Sequence, residues 1–210
     1  MLVQVWSDVV CPWCLIGKRR LHRALHEFAE RDQVQLVHRA FQLHPNAQNT
    51  GQRLVDMIAE HYDIDDSQAL DMLSDEADTA AAEGLTVRMG DILVGNTLSA
   101  HRTVLWAQQH DPAAAQRLLE GLFVGYFEAA APVFSPADLA PFIRGAGLDV
   151  AAAMEMLSGD DFAAQVQIDQ AEATQLGARG VPYVVIGDQP GIFGAEPPQV
   201  YLAALSAASS

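Results

Sequence analysis

Apolar positions recur along the chain with two different periods, and the change of period marks the elements. Leu2, Val3, Val5 and Trp6 make a short apolar run that predicts a buried strand. Behind Cys11-Pro12-Trp13-Cys14 the period becomes helical, to about Arg31. On a 100° wheel with Cys14 at zero, Gly17, Leu21, Ala24, Leu25 and Phe28 share an arc of about 100°, a core-facing stripe. Residues 34–41 (VQLVHRAF) predict a second strand, and His44-Pro45-Asn46-Ala47 and the Gly51 region a loop. Residues 53–157 read as helical, rich in Ala, Leu, Asp and Glu. Breaks near Gly84, Gly90, Gly95, Asp111-Pro112, residues 132–136 and Gly145-Ala146-Gly147 divide them into four or five helices without a strand. Ser135-Pro136-Ala137-Asp138 has the form of a capped helix start. Residues 160–176 predict a further helix, closed by Gly177. Tyr183-Val184-Val185-Ile186 predicts a strand, 187–190 a hairpin turn, 191–194 a short return strand and 197–205 a last helix.

The order is β-α-β, a helical block, then α-β-β-α. The two flanks share one sheet only if the block is inserted. The expected fold class is therefore α/β: residues 1–50 and 160–210 form a mixed central sheet with flanking helices, and residues 51–159 an all-helical insertion domain.

Composition narrows the function. The 210 residues are 50% hydrophobic and 19% charged, enough apolar material for one sizeable core. A net charge of −15 argues against nucleic-acid partners and against anionic membrane surfaces. No apolar run approaches the roughly 18 residues of a spanning helix. The opening residues lack a basic region and a long apolar run, so no signal peptide is expected, and the expected localisation is the reducing cytoplasm. Cys11 and Cys14 are the only cysteines, too few for a disulfide scaffold and spaced for chemistry.

A C-x-x-C dithiol at a helix start can close and open a small disulfide. The wheel puts Cys11 at the stripe's margin and at the helix tip, so Cys11 is expected to be the exposed sulfur and Cys14 the sheltered one. Unpaired N–H groups and the positive dipole end favour a thiolate there. Pro12 suits the first turn and Trp13 a substrate-facing lip. A zinc ribbon needs four ligands and haem attachment needs C-x-x-C-H, whereas Leu15 follows Cys14; no metal is expected. A zinc clasp between two copies, or two inert buried thiols, are the competing readings. Gly180-Val181-Pro182 opens the third strand. An ordinary trans proline at an edge strand is one reading. Behind a C-x-x-C and ahead of β-β-α, the expectation is a cis proline whose neighbouring backbone can pair with a peptide.

These segments together resemble a known family. Ser7-Asp8-Val9-Val10-Cys11-Pro12-Trp13-Cys14, Asn96-Thr97, Ala100-His101-Arg102, Leu122-Phe123, Tyr126-Phe127 and Gly180-Val181-Pro182 are similar to the DsbA-type thioredoxin-fold family, nearest its FrnE-like branch. The resemblance covers nearly the whole chain. It implies a thioredoxin fold with a helical insertion, a redox-active Cys11/Cys14 pair as the catalytic residues, a cis Pro182 beside it, and protein disulfide oxidoreductase or isomerase activity, often in a homodimer. Pro12, Trp13, Val181 and Pro182 are the expected substrate-binding residues. The second cysteine pair of some FrnE-like proteins is missing, which excludes a two-site relay. Related 2-hydroxychromene-2-carboxylate isomerases and kappa-class glutathione transferases typically carry a Ser, or a Cys without its resolving partner, at the Cys11 position, so Cys14 favours redox chemistry here. A redox-active disulfide needs no cofactor; the alternative enzyme reading uses glutathione as co-substrate. A chaperone-like binding module with idle cysteines is the non-enzymatic alternative. The expected partner is a protein or small-molecule thiol or disulfide.

Other residues are candidates for the same site. Asp8 could shuttle protons, oppose thiolate formation or cap. Asp8, Asn96 and His101 are candidates for lining a cleft under the helical block; for the latter two a helix-cap Asn and a helix-packing His are the competing readings. His22 and His26 have metal-pair spacing but no intervening Glu, and fit a helix surface better. Phe123, Tyr126 and Phe127 fit core or dimer surface. Charge is unevenly spread: +2 over residues 1–50, −12 over 51–159 and −5 over 160–210. Lys18, Arg19, Arg20 and Arg23 follow the cysteines directly and predict a locally basic redox helix.

Overall fold

A computed structural model describes residues 1–209. Strand β1 (Leu2–Ser7) lies at the centre of a four-stranded sheet with β2 (Gln35–Ala40), β3 (Tyr183–Ile186) and β4 (Ile192–Phe193), in the order β2-β1-β3-β4. β1 runs parallel to β2 and antiparallel to β3, which turns back into β4. The hairpin read at residues 187–190 is present. The stretch between β2 and β3, residues 41–182, is spanned mostly by helices, as an insertion requires.

Alternation along β1 divides its side chains between two layers. Val3 faces helices α1 (Pro12–Glu27) and α10 (Pro198–Ala208), in a cluster with Leu21, Ala24, Phe28, Tyr201 and Leu205. Trp6 points the other way, and its Nε1 donates to the Asp169 carbonyl of α9 (Ala163–Gln175) at 2.8 Å. The stripe read from the wheel is therefore the packed face of α1. The helix stops at Glu27, earlier than expected, because Phe28 leaves the helical conformation and a 3₁₀ turn, Arg31–Gln33, leads into β2.

Residues 54–158 form seven helices rather than four or five: α2 (Leu54–Tyr62), α3 (Asp66–Met72), α4 (Ser74–Ala82), α5 (Leu98–His110), α6 (Pro112–Ala129), α7 (Pro136–Gly145) and α8 (Val150–Ser158). The extra breaks fall in residues 52–83, which contain no Gly or Pro to announce them. Asp63 takes a left-handed conformation (φ 54°), and an Asp65–Gln68 capping box restarts the chain. The Ser135–Asp138 capping box formed as read.

One polar joint ties the insertion to the sheet and a second braces the insertion itself. The Gln108 amide accepts from the His38 N–H at 2.8 Å and donates to the His38 carbonyl at 3.2 Å, so a side chain covers the outer edge of β2. Arg102 on α5 donates to carbonyls of Met156, Gly159 and Asp161, capping the C-terminal end of α8. No helix among the described residues is long and apolar enough to cross a membrane.

Candidate functional site

β1 ends at Ser7, and residues 8–10 turn the chain into α1. The turn closes when the Cys11 N–H donates to the Asp8 carbonyl at 3.1 Å. Cys11 is then the N-cap of α1, in extended conformation, with Pro12 in the first turn where its missing N–H costs nothing. The Cys14 and Leu15 amides donate to the Cys11 carbonyl. Both sulfurs thus sit at the helix N-terminus within one turn of each other.

The Val181–Pro182 bond is cis, and Val181 turns its carbonyl toward the pair: Cys11 Sγ donates to it at 3.6 Å. Gly17 makes this approach possible. A Cβ there would stand 2.9 Å from Pro182 Cγ and 3.6 Å from Ala195 Cα. The glycine lies on the packed stripe of α1, and its missing side chain lets the Pro182 loop rest against this helix.

The expectation of an exposed Cys11 is corrected. Cys11 is 4% exposed and Cys14 1%. Val181 covers Cys11, while Trp13, 37% exposed, carries the accessible surface of the motif. Pro12 is half-buried. The two thiols still differ in environment. Burial pushes the Cys14 thiol well up, the hydrogen bond to Cys11 and its charge add to this, and the Asp8 carboxylate adds further, while a hydrogen bond from the Asp8 backbone opposes.

Asp8 and His101 do not line a cleft, which corrects that reading for both. Each is fully buried, and His101 Nε2 lies 3.3 Å from Asp8 Oδ1. Asp8 Oδ2 accepts from the Leu43 N–H at 2.8 Å. His101 stacks beside His38, with ring centroids 5.8 Å apart and planes 7° from parallel. His38 Nδ1 lies 3.2 Å from Ser7 Oγ. Burial first, then the charges of His101 and Arg39, lowers His38 to about 3, so it is neutral near pH 7. His38 carries no signal in the sequence, where it reads only as a strand position, and Ser7 enters there only as the first residue of the resembling segment 7–14.

Asn96 is a fastener. Its Oδ1 accepts from Gln42 Nε2 and the Leu98 N–H, and its Nδ2 donates to the Pro45 carbonyl. It fixes the loop of residues 43–52 against the start of α5, whose N-cap is Thr97 rather than Asn96, and it is not among the residues lining the cleft. That loop forms one wall of a cleft of about 500 Å³ that begins at Val10, beside Cys11. Leu54, Met57, Val94 and Tyr126 form the other wall. Phe123, Tyr126 and Phe127 are core residues, although Tyr126 also reaches this cleft and its hydroxyl donates to the Leu93 carbonyl. His22 and His26 are exposed on α1.

The basic run on α1 is ion-paired to the insertion. Glu120 of α6 pairs with Lys18 and Arg19, and Glu83, at the end of α4, pairs with Arg20 and Arg23. Two carboxylates of the acidic insertion therefore pair with all four cations, which offsets half of the positive charge expected on α1 and leaves the cluster net positive. Sequence separations of 63 and 102 residues hide these pairs.

Residues 2–206 match the DSBA-like thioredoxin domain. A probable DsbA oxidoreductase from Streptomyces coelicolor is 36% identical, over 100% of this chain and 90% of that one, with a TM-score of 0.90. A cytosolic disulfide reductase from Pseudomonas aeruginosa is 17% identical over 99% and 98%, with a TM-score of 0.63. A 2-hydroxychromene-2-carboxylate isomerase is 15% identical over 99% and 95%, with a TM-score of 0.65. The latter two share the fold. No curated protein matches the sequence.

Proposed function

The chain belongs to the DSBA-like thioredoxin domain family, and on that premise we propose that it is a thiol–disulfide oxidoreductase in which Cys11 attacks and Cys14 resolves. One observation carries this reading: both sulfurs sit at the N-terminus of α1, with the Val181 carbonyl 3.6 Å from Cys11 Sγ.

The Cys11 thiolate attacks one sulfur of a substrate disulfide. A Cys11–substrate disulfide forms and the other substrate sulfur leaves as a thiolate. In place of the Cys11 thiol, the Val181 carbonyl then accepts a hydrogen bond from the substrate backbone. Cys14 attacks Cys11 Sγ, the Cys11–substrate bond breaks, and the proton of Cys14 ends on the released thiol. The substrate disulfide is reduced by two electrons and the Cys11–Cys14 pair is oxidised. The raised Cys14 thiol keeps it protonated until Cys11 has reacted, which sets the order of the two steps. In a reducing compartment the dithiol predominates, and net reduction or isomerisation follows.

The test is a pair of variants in an insulin-disulfide reduction assay. Cys11→Ser abolishes turnover, while Cys14→Ser accumulates mixed disulfides at Cys11. Full activity in Cys11→Ser overturns the reading.

A further inference from the structure

A second cavity, of about 520 Å³, opens where the end of α5 meets α8 and the start of α9. It shares no lining residue with the cleft beside Cys11. Trp106 lies in its wall. This residue is 8% exposed, yet its indole N–H meets no acceptor among the described residues and is not sealed from solvent. The surface that Trp106 shows is turned to the cavity, which therefore holds an unanswered donor. A buried indole ordinarily finds a partner for its N–H. Trp6 does so, at the Asp169 carbonyl.

The charged groups around the cavity are acceptors. Glu155 and Asp161 bring exposed carboxylates to its lining, and neither is in an ion pair. His110 Nδ1 lies 2.8 Å from the Trp106 carbonyl, which can only accept. That nitrogen carries its hydrogen, and in a neutral ring Nε2 is left as a further acceptor. Trp106, Phe162 and Met156 supply aromatic and thioether surface. Arg102 is the only Lys or Arg in α5, α8, α9 and residues 159–162. Its guanidinium already donates to the Met156, Gly159 and Asp161 carbonyls. The net charge of −12 over residues 51–159 draws cations toward this side of the molecule.

We propose that this cavity binds a small organic ammonium ion that also carries a hydrogen-bond acceptor. The cation lies against the Trp106 ring and beside the Glu155 and Asp161 carboxylates. The acceptor on the same ligand takes the free indole N–H. An anion is repelled by the two carboxylates, and a neutral ligand leaves them without a partner. An alkylammonium meets both the charge and the aromatic wall. Neither cysteine takes part, so the proposal stands apart from the oxidoreductase reading.

The probe is choline, which carries a quaternary ammonium and a hydroxyl. It is titrated into the nitrogen-15-labelled protein at pH 8, where an ordinary histidine is neutral. The three tryptophans give three indole N–H signals, and correlation with each side chain assigns them without a destabilised variant. The expected result is a saturable movement of the Trp106 signal, half complete at about 1 mM or below. The Trp6 signal, bonded to Asp169, stays in place. The neutral isostere 3,3-dimethylbutan-1-ol, with carbon in place of the nitrogen, binds at least about tenfold more weakly. Replacing both exposed carboxylates, Glu155→Gln with Asp161→Asn, weakens choline at least about fivefold, and about 0.5 M salt weakens it several-fold in the native protein. Absence of a saturable movement overturns the proposal, as does equal affinity for the neutral alcohol or undiminished binding in the double variant. Saturation by Nα-acetyl-lysine amide with choline inert also overturns it, and assigns the cavity to a lysine side chain of a partner protein.

Discussion

Replacing Gly17 with alanine sets two effects of known sign against each other. In a helix interior, alanine is favoured over glycine by about 1 kcal/mol. Against this, the new Cβ would lie 2.9 Å from Pro182 Cγ and 3.5 Å from Pro182 Cβ, with Ala195 Cα at 3.6 Å. Ordinary contact begins near 3.4 Å, so the proline ring has to retreat by about half an ångström. A closed ring cannot swing aside as a long side chain can, and Pro182 is buried. Overpacking of this kind costs about 1–3 kcal/mol. The sum is a loss of stability between about 0 and 2 kcal/mol. The functional effect is larger. Pro182 moves together with Val181, whose carbonyl stands 3.6 Å from Cys11 Sγ. A misplacement of 1 Å can cost about a hundredfold in rate, so half of that costs about tenfold. Urea unfolding measures the first effect. The rate of mixed-disulfide formation, followed in a Cys14→Ser background, measures the second. A variant that gains about 1 kcal/mol and reacts at an unchanged rate would refute the reasoning, because helix preference alone would then describe position 17.

Four further outcomes are expected. Arg102→Met removes the charged cap of α8 and leaves buried carbonyls without donors; a loss of about 3 kcal/mol, roughly 10 °C in Tm, is expected by calorimetry, and a loss under 1 kcal/mol contradicts it. His38 binds its proton near pH 3 when folded but near pH 6.5 when unfolded, so between these values the unfolded chain holds the extra proton and stability falls as pH falls, by about 1 kcal/mol per pH unit. Urea titrations from pH 7 to pH 4 should show that slope reduced in His38→Gln. Glu83→Gln leaves Arg20 and Arg23 without their carboxylate and costs about 1–2 kcal/mol, with the deficit shrinking in high salt; a salt-independent loss argues for packing instead. Asp8→Asn removes a charge that raises the Cys14 thiol, so the pH midpoint of the resolving step, read by rapid acid quench of the mixed disulfide, should move down.

What the sequence disclosed was local, and what it hid was remote. The strand alternation, the capped start at Ser135, the hairpin and the cysteine spacing each lie within a few residues and obey rules of period or turn chemistry. The helix breaks at residues 63–66 and 73–74 carry no Gly or Pro and stayed invisible. The burial of Cys11 depends on a carbonyl 170 positions away. The charge partition was legible as composition, but not its consequence: an acidic insertion and a basic redox helix are two halves of one set of ion pairs.

Asp8 shows why distance matters to mechanism as well as to prediction. A carboxylate is expensive to bury without donors, and Asp8 is buried beside a thiol that its charge works against. Its contacts account for it. The backbone carbonyl receives the Cys11 N–H and so fixes where α1 begins. One carboxylate oxygen receives the Leu43 N–H, at the root of the loop that walls the cleft, and the other meets His101 on α5. Three elements therefore meet at one residue: the cysteine-bearing helix α1, the cleft wall and the insertion. A neutral side chain of the same shape could keep the Leu43 bond and the helix start. It would release the electrostatic restraint on Cys14, so geometry and the order of the two thiols' reactions can be separated at this position. If Asp8→Asn leaves the pH dependence of resolution unchanged while destabilising the fold, Asp8 is a structural joint alone, and the order of the two steps rests on the burial of Cys14 and its bond to Cys11.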